Sequence, residues 1–249
     1  MELYHLTQLT SLHICFKDMV ISEWFKPLAE KTVQLALDNC IVMKDVIEAL
    51  DKSQNPLKRL EIFNESQGLP YWPTCVEHLR IESCDDMEVM LKGVVADRDY
   101  FTKLKTLLLE DLSKLERIWV GPVPQNCFSQ LSKIHIEHCR RLKMVFTKGM
   151  SGVFNNLRSI TAEDCHMMEV IIEAEEEGSN ISGVISFPKL ERLWLISLST
   201  LTDVCSNGIL HCPRLQELYV YDCPKLKKDP LHLRITDDQL HIIEEDLSE

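Results

Sequence analysis

The sequence predicts an α/β solenoid, a horseshoe of about nine irregular repeats with a parallel β-sheet on its concave face. The first observation is composition, because 35 of the 249 residues are Leu and so point to a repeated core. The second is a recurring phrase, in which two apolar residues stand two positions apart and Cys or Leu follows three positions later. Side chains two apart lie on one face of a strand, and stacked strands merge such faces into a continuous core.

The second apolar residue of each pair marks the repeats. These marks are positions 14, 37, 62, 81, 109, 136, 162, 195 and 220, with steps of 19 to 33 residues. Most steps fall in or close to the window of about 20 to 29 residues that is typical of leucine-rich repeats. We therefore expect a leucine-rich-repeat domain over residues 1–230, irregular over 1–100 and regular over 101–230. The 33-residue step contains an acidic insertion at Glu173–Glu177.

The outer segments and the chain end carry further patterns. Apolar residues after each strand recur every three positions, as in Leu112, Leu115 and Ile118, which favours short helical or 3₁₀ turns on the outer side. Residues 231–249 are interpreted as an acidic capping tail, because terminal repeats need a polar outer face. Within this tail, Thr236–Gln239 is similar to a capping box and predicts a short helix with one apolar face. That face consists of Leu240, Ile243 and Leu247.

Composition excludes several classes of function. The formal net charge is −12, from 39 acidic and 27 basic residues, which disfavours binding to nucleic acid. The apolar runs are shorter than the roughly 20 residues of a membrane span, and the start lacks the pattern of a secretory signal. The expected location is therefore the cytoplasm. The direct entry into a repeat at Leu6–Leu9 suggests a fragment of a longer protein or a truncated gene product.

Cysteine usage indicates a structural role. Five of the ten cysteines occupy the turn position after a strand, where leucine-rich repeats carry Asn or Cys. These are Cys40, Cys84, Cys139, Cys165 and Cys223. One thiol per coil gives a row, which does not suit the tetrahedral ligand set of zinc.

Catalysis, cofactor binding and metal binding are not expected. Two groups of residues could be taken for metal ligands: His135, His138 and Cys139, and then Cys205, His211 and Cys212. In the first group the side chains point in different directions around a strand. In the second group Cys212 fills a core position. A catalytic Cys–His pair would need a held geometry and an oxyanion site, and no Gly-rich turn or nucleophile elbow supplies one.

Outward positions of the concave sheet are the candidate protein-binding residues. They are His78, Arg80, Leu108, Glu110, His135, Glu137, Arg192, Trp194, Ile196, Glu217, Tyr219 and Tyr221. Trp194 and Tyr219 fall in equivalent slots of adjacent coils, with Tyr221 two residues on, so we expect these rings to meet on the open face. Clustered exposed aromatic rings are typical of binding hot spots, although they could also simply cover the sheet.

Two alternating phrases resemble a known family. The units Phe187–Leu195 and Cys212–Leu226 look like the C-terminal leucine-rich repeats of plant intracellular immune receptors, in the subclass with an N-terminal coiled coil and a central nucleotide-binding module. Leu107–Trp119 and Ile134–Val145 match the two phrases in turn. The resemblance is specific over about residues 100–228 and loose before that.

The resemblance implies a role in pathogen recognition. In that family the repeats pack on the nucleotide-binding module, hold the receptor inactive, and help to recognise an effector or a guarded host protein. No G-x-x-x-x-G-K-[ST] loop occurs in this chain, so nucleotide binding is not carried over to any residue. The competing interpretations are a substrate-adaptor repeat protein and a scaffold without an immune role.

Overall fold

The computed structural model describes residues 10–15, 28, 31–39, 57–65, 72, 74–92, 101–121, 123, 126–147, 150, 152–173, 184–206, 209–227 and 241–244. Nearly all regular structure in these ranges is strand. In chain order the strands are β1 (Ser11–Cys15), β2 (Gln34–Asp38), β3 (Arg59–Phe63), β4 (His78–Glu82), β5 (Val89–Lys92), β6 (Thr106–Glu110), β7 (Arg117–Val120), β8 (Lys133–Glu137), β9 (Phe146–Thr147), β10 (Ser159–Glu163), β11 (Val170–Glu173), β12 (Val184–Ser186), β13 (Arg192–Ile196), β14 (Asp203–Cys205), β15 (Ile209–His211), β16 (Glu217–Tyr221) and β17 (His241–Glu244).

Ten strands form one parallel sheet, which we call the main sheet. Its order is β1-β2-β3-β4-β6-β8-β10-β13-β16-β17. Neighbouring strands are in register. Each of the nine repeat marks from Ile14 to Val220 is the fourth residue of its strand, and each of the first eight pairs with the next mark. The leucine-rich-repeat solenoid with a parallel sheet is thereby confirmed, with β17 as a tenth strand.

The second and fourth residues of the main-sheet strands form its inner face. In β13 these are Leu193, which is 1% exposed, and Leu195, which is 0% exposed. The same two positions are buried in every main-sheet strand from β2 to β13, within one continuous hydrophobic core. Complete burial of such a side chain contributes about 1.5–3 kcal/mol relative to exposure, so the repeated pair is the main source of stability.

A column of aromatic rings runs through this core at the turn before the strands. Phe101, Phe128 and Phe154 stack in successive coils with ring centroids 5.2 and 5.7 Å apart. Trp119 and Phe146 from the outer side pack on Phe154 at 5.5 and 4.7 Å. Phe101 and Phe128 have φ angles of 58° and 57°, which are costly for bulky residues, and burial of their rings offsets that strain.

The turn after eight of the main-sheet strands is left-handed. The residue following each of the strands β2, β3, β4, β6, β8, β10, β13 and β16 has a φ of 49° to 54°. These residues are Asn39, Asn64, Ser83, Asp111, His138, Asp164, Ser197 and Asp222. Asn, Asp and His tolerate this conformation better than other residues with side chains. This row of left-handed residues lets each coil leave the sheet at the same point. The sequence analysis does not predict it.

The outer side differs from the expected helical turns. A single tight turn, in which the Leu115 N–H donates to the Leu112 carbonyl over 3.1 Å, is followed by the extended strand β7. Short parallel sheets form there: β5 with β7, β9 with β11 and β14, and β12 with β15. Their sequences are rich in β-branched and aromatic residues, which favour extended backbone. The three-residue period therefore reflects a tight turn that leads into a strand.

The C-terminal segment contributes a strand where a helix was expected. β17 pairs in parallel with β16, so that Val220 lies opposite Glu244, and the helix prediction is wrong over residues 241–244. A strand satisfies the backbone groups that β16 would otherwise leave unpaired at the sheet edge, which a helix could not do. The suggested capping box at 236–239 lies outside the described residues, and the division into a 1–230 domain and a 231–249 tail stays a prediction.

Candidate functional site

First, third and fifth residues of the main-sheet strands point to the open face of the sheet, opposite the core. All twelve candidate binding residues lie on this face. First positions hold His78, Arg192 and Glu217; third positions hold Arg80, Leu108, His135, Trp194 and Tyr219; fifth positions hold Glu110, Glu137, Ile196 and Tyr221. Their role in protein binding stays a prediction.

One residue departs from the outward pattern. Thr161 is at the third position of β10, yet only 6% of its surface is exposed. It lies in register between His135 and Trp194, and these larger side chains flank it on both sides. Thr161 therefore contributes little accessible surface, although the alternation placed it on the open face.

Trp194, Tyr219 and Tyr221 form an aromatic cluster on the open face. The Trp194 and Tyr219 rings meet edge to face with centroids 6.1 Å apart, and Tyr219 stacks on Tyr221 at 6.5 Å. The expected contact between these rings is thus present. Trp194 remains 38% exposed, which is high for a large apolar side chain in a folded domain.

Four glutamates line one edge of the open face, and we call them the glutamate row. Glu82, Glu110, Glu137 and Glu163 occupy the fifth positions of four successive strands and pair in register. Neighbouring strands lie about 4.8 Å apart, and like charges directly opposite destabilise a sheet. The row therefore needs cations nearby. Glu82 and Glu163 are not among the twelve candidate binding residues, although Glu at the end of four consecutive phrases is a readable signal.

Arg80 neutralises one end of the glutamate row. Its guanidinium pairs with Glu82 at 2.7 Å and with Glu110, and its Cζ atom lies 5.7 Å from the centre of the Phe63 ring. Burial opposes the charged form, but the hydrogen bond and charge of Glu110 outweigh it and raise the pKa of Arg80. Arg80 is therefore held as a cation between an aromatic ring and two carboxylates.

Two histidines lie in the middle of the row. His135 Nε2 is 3.2 Å from a Glu137 oxygen. His138 has a carboxylate at each nitrogen, with Asp111 3.2 Å from Nδ1 and Asp164 3.1 Å from Nε2. A neutral imidazole donates from one nitrogen only, so both contacts are hydrogen bonds only in the protonated ring. Within the described ranges, no group of three or more His, Cys, Asp or Glu side chains has an arrangement that could hold a metal ion.

The opposite edge of the open face carries basic residues. They stand at the first strand position or just before it: Lys58, Arg59, His78, Lys105, Lys133, Arg158 and Arg192. Lys105 pairs with Glu77 at 2.7 Å, and Arg158 pairs with Glu191. The face thus has a mainly basic edge, which also carries Glu77, Glu191 and Glu217, opposite an acidic edge, and a partner with the matching polarity would dock in one orientation.

His78 should make stability depend on pH. Burial and the charge of Arg59 lower the pKa of its imidazole, so the unfolded chain takes up a proton at this site before the folded chain does. Stability therefore falls as pH drops through the ordinary histidine pKa of about 6.5. His78→Gln should reduce the difference between urea midpoints measured at about pH 7.5 and pH 5.5. The control is His166→Gln at an exposed site, which should leave the difference between the two midpoints unchanged. If His78→Gln also leaves it unchanged, this assignment is contradicted.

Three of the turn cysteines, Cys84, Cys139 and Cys165, are buried, as expected, while Cys223 is half-buried. Cys84 Sγ lies 3.4 Å from the Glu82 carbonyl, and Cys165 Sγ lies 3.2 Å from the Glu163 carbonyl. Burial raises the pKa of Cys84 to about 11 and that of Cys212 to about 12. These thiols are therefore protonated at neutral pH, which makes them poor nucleophiles. Cys40 lies outside the described residues.

Comparison with known proteins gives a consistent set of relatives. The family described as plant disease resistance protein RPS2-like, leucine-rich repeats, matches residues 73–148 and 120–228. The probable disease resistance protein At1g61300 of Arabidopsis thaliana is 33% identical over 147 residues, which are 57% of this chain and 18% of that relative. The probable disease resistance protein At1g51480 of the same plant is 25% identical over 230 residues, which are 88% of this chain and 25% of the relative.

A third relative, disease resistance protein SUMM2 of Arabidopsis thaliana, is 34% identical over 118 residues, 45% of this chain and 12% of its own length. The chain thus spans a quarter or less of the length of these three relatives. No solved structure is significantly similar to it. Because the family matches together cover most of the chain, it belongs to the leucine-rich-repeat family of plant disease resistance proteins.

Proposed function

We propose that this chain is a protein-binding module in plant innate immunity, and that its open face recognises a pathogen effector or a guarded host protein. The observation that carries the proposal is the aromatic cluster, with Trp194 38% exposed and in contact with Tyr219. A rigid parallel sheet holds these rings in place before binding, which reduces the entropy lost on association. Aromatic residues dominate hot spots in protein interfaces.

The proposal includes regulation and location. Packing of the repeats on a nucleotide-binding module would hold a receptor inactive until the partner competes for the same face. The site of action would be the cytoplasm. The two charged edges of the open face support selective docking. Separately, no helix in the described ranges is long and apolar enough to cross a bilayer. We propose no enzymatic activity; the thiols of Cys84 and Cys212 are buried and have raised pKa values, so they do not supply the ionised nucleophile of a Cys–His mechanism.

Editing Trp194→Ala into the plant gene that encodes this chain tests the proposal. We expect partner affinity to fall at least about tenfold, because a central aromatic anchor is lost. The plant should then lose its response to the pathogen that this gene controls, while the protein accumulates normally. The measurements are pathogen growth after inoculation and protein abundance by immunoblotting.

Met167→Ala is the matched control. Met167 is 45% exposed and lies in the turn that leads away from β10, outside the open face. It should leave the response intact. A full response with Trp194→Ala would count against recognition through the aromatic cluster. A gene whose complete deletion changes no pathogen response would instead favour an adaptor or scaffold without an immune role.

A further inference from the structure

Cations are unevenly distributed along the glutamate row within the part of the chain that the structure describes. Arg80 serves Glu82 and Glu110, and His135 lies beside Glu137. Among the described residues, no basic side chain pairs with the carboxylate of Glu163. The carboxylate of Asp164, the next residue, pairs with His138, which it shares with Asp111. Repulsion from neighbouring carboxylates disfavours the charged form of Glu163, and binding of an additional cation beside it would stabilise that form.

Glu163 borders the aromatic cluster. In register, Glu163 of β10 lies beside Ile196 of β13, and Ile196 lies beside Tyr221 of β16. Trp194 is two residues before Ile196 on the same strand, and its exposed ring therefore stands one strand from the Glu163 carboxylate. The surface bounded by Glu163, Trp194 and Tyr221 combines a carboxylate with accessible aromatic rings, and we call it the carboxylate–aromatic patch.

The same sheet already shows what such a combination holds. At the opposite end of the row, the guanidinium of Arg80 lies over Phe63 and pairs with two glutamates. Phe63 is the fifth residue of the strand that neighbours the strand of Arg80. In the same way, Tyr221 is the fifth residue of a strand that neighbours the strand of Trp194. The carboxylate–aromatic patch resembles the surroundings of Arg80, with the aromatic ring and the carboxylate on exchanged sides and one carboxylate instead of two, and Trp194 stands at the strand position that Arg80 occupies.

We propose that the carboxylate–aromatic patch binds an arginine side chain supplied by the partner protein. This inference rests on the proposed function and names the chemistry of its partner: a segment with an exposed arginine in basic surroundings. Arginine fits better than lysine, because the planar guanidinium stacks on aromatic rings and pairs with a carboxylate through two parallel hydrogen bonds. An acidic segment is excluded from the patch by Glu163 and Asp164, and it would meet the basic edge instead.

Peptide titration of the intact 249-residue chain tests the inference. The probes are three short capped peptides of identical length, Gly-Arg-Gly-Arg-Gly, its lysine analogue and its glutamate analogue, added at low salt. Binding is followed by the NMR shift of the Trp194 indole N–H, assigned from the spectrum of Trp194→Phe. We expect the arginine peptide to bind about threefold or more tightly than the lysine peptide, and the glutamate peptide to leave the signal unmoved.

Variants separate the patch from general attraction to an acidic protein. Glu163→Gln should weaken arginine-peptide binding about threefold or more, because one charged partner is removed. Glu116→Gln removes the same charge at an exposed outer position next to Leu115 and should change the affinity little. Equal affinities for arginine and lysine peptides, or equal losses in the two variants, would overturn the inference.

Failure of this inference is distinguishable from failure of the proposed function. Peptide selectivity is measured on the purified chain, whereas the proposed function is judged by the pathogen response of the edited plant. A response lost with Trp194→Ala but unaccompanied by arginine selectivity would leave recognition through the aromatic cluster in place and overturn only the arginine chemistry.

Discussion

Leu193→Ala should lower the free energy of unfolding by about 2–5 kcal/mol, whereas Trp194→Ala should change it by less than about 1 kcal/mol. Leu193 is 1% exposed at the second position of β13, so truncation leaves a cavity in the core. Trp194, the next residue, is 38% exposed on the open face. Urea denaturation of the purified variants, followed by circular dichroism, measures both changes.

This pair of variants also tests the alternation on which the whole binding face depends. A larger loss for Trp194→Ala than for Leu193→Ala would mean that β13 lies in the opposite register, since a shift by one residue exchanges the two faces of a strand. Each coil of a solenoid is stabilised by its neighbours, so the Leu193 cavity should first loosen β10 and β16. Hydrogen exchange of their backbone amides would show this local effect.

Phe154→Ala should cost about 3–5 kcal/mol, because Phe154 joins the aromatic column to the outer side. Its fully buried ring packs on Phe128 at 5.7 Å, on Trp119 at 5.5 Å and on Phe146 at 4.7 Å. The loss combines transfer of a large apolar side chain with a cavity that the neighbouring rings cannot fill. Thermal and urea unfolding of the purified chain give the magnitude.

Phe63→Ala is the matched control, because Phe63 is a half-buried ring on the open face under the guanidinium of Arg80. Its removal should cost about 1 kcal/mol or less, the value of an exposed cation–π contact. Equal losses for Phe63→Ala and Phe154→Ala would show that the column does not have the special role in stability assigned to it.

In the proposed binding function, the two faces of each strand have different roles. Inward positions such as Leu193 and Leu195 supply the stability, and these positions tolerate little change. Outward positions such as Trp194 contribute little to stability, so they are free to vary with the partner. In this proposal the bordering charges would set the orientation and the selectivity of docking, because one edge is mainly acidic and the other mainly basic.

Short-range patterns were sufficient for some features and ambiguous for others. The spacing of Leu193 and Leu195 predicts a strand with one buried face, because side-chain direction alternates whatever the rest of the chain does. The spacing of Leu112, Leu115 and Ile118 is ambiguous, since a helical turn and a tight turn that enters a strand both bury every third residue. Packing of β7 against β5 decided between them. For residues 241–244, pairing with β16 overrode the helical pattern.

The sequence by itself determined the repeat, the inward and outward positions and the turn cysteines, because each of these follows from local alternation within one coil. Only the tertiary structure decided which charges meet: Arg80 with Glu110, and His138 between Asp111 and Asp164. Those contacts join residues about one coil apart and depend on the lateral alignment of the strands. This alignment is kept even across the 33-residue step, because β10 and β13 pair in register. Alignment of this kind arises from the collective packing of the core, so no local window of the sequence contains it.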